Sequence, residues 1–173
     1  MKPSRQKKPP DIIGWREHVG LPDLGVQRLR AKIDTGARTS ALHAVDLEPL
    51  EHNGELWVSF AMRPRDVQYQ TKRLAAPVHD RRAVKNTSGI PEDRWIIRTT
   101  LLLGRRRWHI QLSLANRENM GFDLILGRTA IRGRRVLVNP GRSFLAGDPL
   151  IQLQVPNSDE NSETIAFAGT TSP

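Results

Sequence analysis

Trp108, Ile110, Leu112 and Leu114 take every second position of "WHIQLSL", with His109, Gln111 and Ser113 between them. A period of two turns one face of an extended strand inward, whereas a helix would scatter the same side chains around its circumference. The pattern recurs. Leu29, Ala31 and Ile33 alternate with Arg30 and Lys32, and Leu56, Val58, Phe60 and Met62 form another run, which Pro64 is expected to end. "RWIIRTTLLLG" and "WHIQLSL" flank "GRRR" as the arms of a β-hairpin. After the polar loop "ANRENMG", the stretch "FDLILGRTAIRG" offers an apolar strand, a glycine and room for about two turns of helix. "RVLVNPGRSFL" then reads as a final hairpin around Asn-Pro-Gly. Short strands broken by Gly, Pro, Asn and Asp, with scarce helix, predict an all-β barrel or sandwich.

A chain of 173 residues fits a single domain, and it contains no internal repeat. Residues 1–10 read as a disordered basic arm, 11–155 as the folded domain, and 156–173 as a disordered polar tail. Cysteine is absent, which excludes disulfides, thiolate metal sites and a cysteine nucleophile. Nothing argues for an oxidising compartment, so the cytoplasm is the expected location. No apolar run approaches the roughly 20 residues of a membrane helix, and a soluble protein with no membrane partner is expected. The formal charge is +9, and discounting the four cations of the first segment and the three acids of the last leaves the body nearly as basic. Such a field attracts polyanions, either nucleic acid or acidic polypeptide, and arginine suits bidentate capture of carboxylate or phosphate.

In "AKIDTGARTSALHA" a strand ends on a charge, Asp34, followed by Thr35, Gly36 and Ala37. An aspartate there either closes a turn or presents a carboxylate to a bond to be broken. Ser40, His43 and Asp46 lie three apart on one local segment and cannot converge as a hydrolase triad.

The order of strand, Asp-Thr-Gly-Ala, glycine-bearing hairpin, apolar run with Gly-Arg, and short helix resembles a retropepsin-type aspartic protease. The blocks "KIDTGARTSALHA", "VKNTSG", "LSLANRENMGFDLILGR" and "VNPGRSFL" are similar to a bacterial retropepsin-like family that carries the name ATP-dependent zinc protease and includes the RimB-type protease. The resemblance covers nearly all of residues 12–147. It implies a closed β-barrel of the acid-protease fold with one short helix. It implies an aspartic-type peptidase with Asp34 catalytic, Thr35 anchoring the loop and Gly36 clearing space for the backbone. Two carboxylates too close to ionise together share a proton, so one serves as base and the other as acid toward a trapped water. No second Asp-Thr/Ser-Gly occurs, so the pair requires a homodimer with Asp34 from each copy on the two-fold axis.

The same resemblance implies a flap near "VKNTSGIPEDRW", with Ser88 and Gly89 at its tip and Lys85 and Arg94 on its arms. Gly127 is expected to pack closely against backbone. Retropepsins often place an acid two positions after the motif's glycine, paired with the arginine of the Gly-Arg block; here Arg38 stands there, facing Arg128. Two readings stand. Glu118 or Asp123 supplies the missing carboxylates, or Arg38, with Arg128, Arg98 or Lys85, offers positive charge to substrate carboxylates. Together with Ala37, Ser88 and Gly89 these make the expected substrate-binding set. The second reading fits a glutamate-rich target, such as the polyglutamate tail that a RimK-type ligase adds to a ribosomal protein, with ligase or ribosome association as implied partners.

The zinc and ATP of the family name find no support in the residues. His18, His43, His52, His79 and His109 are scattered, without a His-x-x-x-His pair, and no phosphate-binding Gly-x-x-x-x-Gly-Lys loop exists. No metal and no cofactor are expected, and His43 reads as a structural histidine. Trp15, Trp57, Trp95 and Trp108 read as core or dimer-interface residues. The rival function is a non-enzymatic basic β module that binds ribosomal RNA or other nucleic acid through "GRRR", "RGRR" and the N-terminal arm.

Overall fold

The computed structural model describes residues 9–63, 71–85 and 88–150, and the backbone of 166–167. Residues 1–8 of the expected 1–10 arm, the strand stop at Pro64 and most of the 156–173 tail lie outside the described residues. In chain order the strands are β1 (Asp11–Gly14), β2 (Arg16–Leu21), β3 (Val26–Asp34), β4 (Ser40–His43), β5 (Val45–His52) and β6 (Glu55–Met62). They continue with β7 (Lys72–Lys85), β8 (Pro91–Leu103), β9 (Arg106–Ala115), β10 (Leu124–Gly127) and β11 (Val136–Asn139). A single helical turn, α1 (Arg128–Ile131), follows β10, and a 3-10 turn, Pro22–Leu24, links β2 to β3. A last pair of residues, β12 (Ala166–Phe167), runs parallel to β7 at Leu74–Ala75 within the expected tail.

Six strands close on themselves in the order β2-β3-β10-β4-β9-β8, and β8 returns to β2 at Val19–Leu103 and Gly20–Leu102. The fold is an all-β closed barrel with one short helix. Closure leaves no free edge in this part of the sheet, and β7, β6 and β5 extend it outward from β8. The alternation read from the sequence fills the interior: Leu29, Ala31 and Ile33 from β3 and Trp108, Ile110, Leu112 and Leu114 from β9 are all buried. Trp108 is tied to α1, its indole Nε1 donating to the Ala130 carbonyl at 2.8 Å. Among the described residues no helix is long and apolar enough to cross a membrane.

Three expectations are corrected. Leu56 is exposed, while Trp57, Ser59 and Ala61 are buried along with Val58, Phe60 and Met62. β6 lies between β5 and β7 and buries both its faces, so simple alternation fails there. The helix after Gly127 is one turn, because Arg132 leaves the helical region and Arg134 N closes back on the Ile131 carbonyl at 3.1 Å.

The final hairpin does not form. β11 pairs in parallel with β1, Ile12 beside Leu137, more than 100 residues away in the chain. The Asn-Pro-Gly turn after it delivers residues 142–146 onto the β1–β2 junction. There the wholly buried Glu17 accepts bonds from the N–H groups of Gly14 (2.5 Å), Leu145 (2.9 Å) and Ala146 (3.2 Å). Three donors compensate a carboxylate removed from water.

Candidate active site

Asp34 is the last residue of β3, paired in register with Gly127 at the end of the parallel strand β10. β10 lies between β3 and β4, so the chain leaves β3, loops through residues 35–39 and re-enters the sheet on the far side of β10. The loop is therefore held from behind. Asp34 Oδ1 accepts the N–H groups of Gly36 and Ala37, each at 3.1 Å. Oδ2, 3.9 Å from Lys32 Nζ, is the oxygen left to face a proton or a water. A Cβ on Gly36 would meet Asp34 Oδ1 at 3.3 Å, which explains the small residue at that place.

The backing is made of backbone. Arg128 N donates to the Ala37 carbonyl at 2.9 Å, and Thr129 donates to the Arg38 carbonyl through N (3.2 Å) and Oγ1 (2.8 Å). Arg128 Nη1 reaches the carbonyls of Gly36 (3.0 Å) and Thr35 (3.4 Å). Ser40 Oγ accepts from Gly127 N at 3.1 Å, and Ser113 Oγ donates to the Ser40 carbonyl at 3.0 Å. Ser113 is buried for that reason, against the outward position that alternation gave it. Gly127 fits tightly: a Cβ there would stand 2.6 Å from both C and O of Thr39, as the close-packing expectation required.

In front of the loop opens a cleft of about 1020 Å³, bounded by the Asp34 loop, by the β7–β8 hairpin arms and by the β9–β10 loop. Residues 81–85 and 91–95 of those arms pair with each other and extend past the last β8–β9 pair, Ile96–Ser113. This is the position expected of a flap. Arg38, Arg82, Lys85, Arg94 and Arg117 line the cleft against two carboxylates, Asp34 and Glu92. Arg117 is buried. Burial lowers the proton affinity of its guanidinium and nearby Arg94 lowers it further, while Asp34 and Asp123 act in the opposite direction.

Of the expected site residues, Asp34, Gly36, Ala37, Arg38 and Lys85 come together in the cleft. Thr35 is in the same loop, exposed, with its carbonyl held by Arg128. Ser88 and Gly89 are exposed at the hairpin tip, Gly89 with φ +78°, and neither is among the cleft-lining residues. Arg98 stands apart, lining a separate recess with Pro77, Val78 and His79. Arg128 acts on loop carbonyls, so the two-arginine conflict with Arg38 does not arise there. His43 is buried and structural: Nδ1 accepts from Arg117 N at 2.9 Å, which requires an unprotonated Nδ1, and His43 N donates to the Asp123 carbonyl. The sequence reading missed Arg82 and Arg117 as cleft residues. Only the charged loop "ANRENMG" hinted at the latter.

A closed barrel that displays one aspartate on a loop backed by an inserted parallel strand defines the retropepsin-like class of aspartic endopeptidase folds. A family model described as RimB-like, "Retropepsin-like aspartic endopeptidase RimB", matches residues 12–149, and the chain belongs to that family. Among the described residues no three His, Asp or Glu side chains gather as a metal-binding group.

Two relatives named "Probable alpha-L-glutamate ligase" are similar over 138 residues, 79% of this chain. The one from Desulfotalea psychrophila is 41% identical and the one from Parasynechococcus marenigrum 43%. The chain spans only 30% and 29% of their lengths. A crystal structure of a Legionella pneumophila protein of unknown function is 26% identical with a TM-score of 0.66, covering 79% of this chain and 98% of that one.

Proposed function

We propose that the chain acts as a homodimeric aspartic peptidase that hydrolyses peptide bonds in glutamate-rich polypeptide, trimming polyglutamate extensions made by a RimK-type ligase. The observation that carries the reading is a strand-end carboxylate, fixed by two backbone N–H groups, at the wall of a cleft with five cationic side chains and one further carboxylate. The exposed Thr35–Gly36 edge leaves the loop accessible to a second copy. A unit similar to this chain also occurs within longer proteins named as glutamate ligases, which supports a link between cleavage and glutamate addition.

In the dimer the two Asp34 carboxyls hold one proton between them. The ionised one takes a proton from water as its oxygen attacks the peptide carbonyl carbon, and the protonated one hydrogen-bonds the developing oxyanion. The protonated carboxyl passes its proton to that oxyanion to give a gem-diol; the other carboxyl then delivers the proton it took from water to the peptide nitrogen, and as the C–N bond breaks the first recovers a hydroxyl proton, releasing acid and amine. Arg38, Lys85 and Arg94 are arranged to draw acidic side chains into the cleft, and a cytoplasmic setting beside the ribosome suits such a substrate.

The test is Asp34→Asn assayed by mass spectrometry on a polyglutamate-tailed peptide and an uncharged control, with the assembly followed by light scattering. The expected result is an intact dimer without cleavage; retained hydrolysis would remove Asp34 from the chemistry. One observation favours a second reading, nucleic-acid binding. "GRRR" and "RGRR" converge, with Arg106 donating to the Arg134 carbonyl and both guanidiniums lying over Trp108. Binding of generic RNA that falls steeply with salt and weakens in Arg105→Ala/Arg107→Ala supports that surface.

A further inference from the structure

Arg94 on β8 and Arg117 in the β9–β10 loop bring like charges to the same cleft as Asp34. Both are largely out of water, the Arg94 side chain being 14% exposed and Arg117 9%. Their like charges oppose each other, and the carboxylates of Asp34 and Asp123 act on Arg117 in the opposite direction. At Arg94 the carboxylate is that of Glu92, whose Oε2 lies 3.0 Å from Arg94 Nη2. Glu92 is two residues away on the same hairpin arm, half exposed, and lines the same cleft. Arg94 Nε is buried without a hydrogen-bond partner, so the Nε–Nη edge that grips a carboxylate in bidentate fashion is only half used.

We propose that Arg94 and Arg117 form a carboxylate-binding subsite for a glutamate side chain of the substrate, and that Glu92 is an internal occupant which the substrate displaces. The inference rests on the acidic-peptidase reading and deepens it by assigning the specificity to one pair. A glutamate carboxylate meets the same chemistry that Glu92 now offers and adds the unused Nε donor. Its seat then lies in the same cleft as Asp34.

The test measures binding separately from cleavage. The full-length Asp34→Asn protein is titrated by fluorescence anisotropy with a labelled hexaglutamate peptide and with hexaglutamine. Hexaglutamate is expected to bind and hexaglutamine not. In that background Glu92→Gln should tighten hexaglutamate binding roughly two- to fivefold, the worth of a half-exposed ion pair. Arg94→Gln should weaken it roughly tenfold or more, the loss of a charge-assisted donor. A folding defect can only weaken binding, so the opposite sign of the Glu92 variant carries the decision. Equal binding of hexaglutamine, or unchanged or weaker binding in Glu92→Gln, overturns the subsite. Tight, Glu92-sensitive binding by a protein whose wild type cleaves nothing would instead sink the peptidase reading and leave the subsite standing.

Discussion

Replacing Gly127 by alanine tests whether the strand behind the Asp34 loop is a rigid support. The added Cβ would meet Thr39 C and O at 2.6 Å and Arg38 O at 2.9 Å, all backbone atoms that cannot rotate away. Non-bonded carbon contacts settle near 3.5–4.0 Å, so loop and strand must part by roughly 0.5–1 Å. Overpacking of this kind costs about 1–3 kcal/mol. Alanine restricts the unfolded chain and returns about 0.4–1 kcal/mol, leaving a net loss of about 1–2 kcal/mol.

For a domain of this size that loss lowers Tm by roughly 2–8 °C, and the urea midpoint should fall at unchanged slope. Because Gly127 faces Asp34 across the register, peptide cleavage should drop by roughly ten- to a hundredfold. Gly121→Ala is the control: nothing lies within 4 Å of its Cβ position and its φ is not positive, so it should melt at or slightly above the wild type, by the roughly 0.4–1 kcal/mol that restricting the unfolded chain returns. A Gly127→Ala protein that also melts and cleaves like the wild type would refute the argument that backbone contact behind the loop fixes the carboxylate.

Ser40→Ala removes the acceptor for the buried Gly127 N–H and should cost about 1–3 kcal/mol in a urea melt. Glu17→Gln removes the charge at the β1–β2 junction and points an amide donor toward the N–H of Leu145 or Ala146. A comparable loss is expected, with faster tryptic cutting after Arg142 in limited proteolysis.

Much of the barrel was legible because its strands bury one face. Leu29, Ala31 and Ile33 and the run from Trp108 to Leu114 announce their inward sides by period alone. Leu56 misled because it stands at the exposed start of β6 beside the turn from β5, while the rest of the strand is covered on both faces, facts set by its neighbours and not by its own pattern. The missing last hairpin has the same origin: β11 finds its partner in β1, and no local signal reports a pairing between residues so distant in the chain. At the site, Asp34 and Gly127 carried their own motif chemistry. Arg117 did not, since its place in the cleft depends on the β9–β10 loop folding over His43. Arg98 pointed the other way for a similar reason: a position on a β-strand says nothing about which recess its outer face meets.

The insertion of β10 between β3 and β4 also ties the site to a distant part of the chain. Residues 26–43 flank a place in the sheet that residues 124–127, some eighty positions later, fill. Contacts of such separation form slowly because a long loop must first be closed. The seat of the carboxylate is thus incomplete until that pairing forms, and a nascent or truncated chain ending before Leu124 has the motif but no floor beneath it.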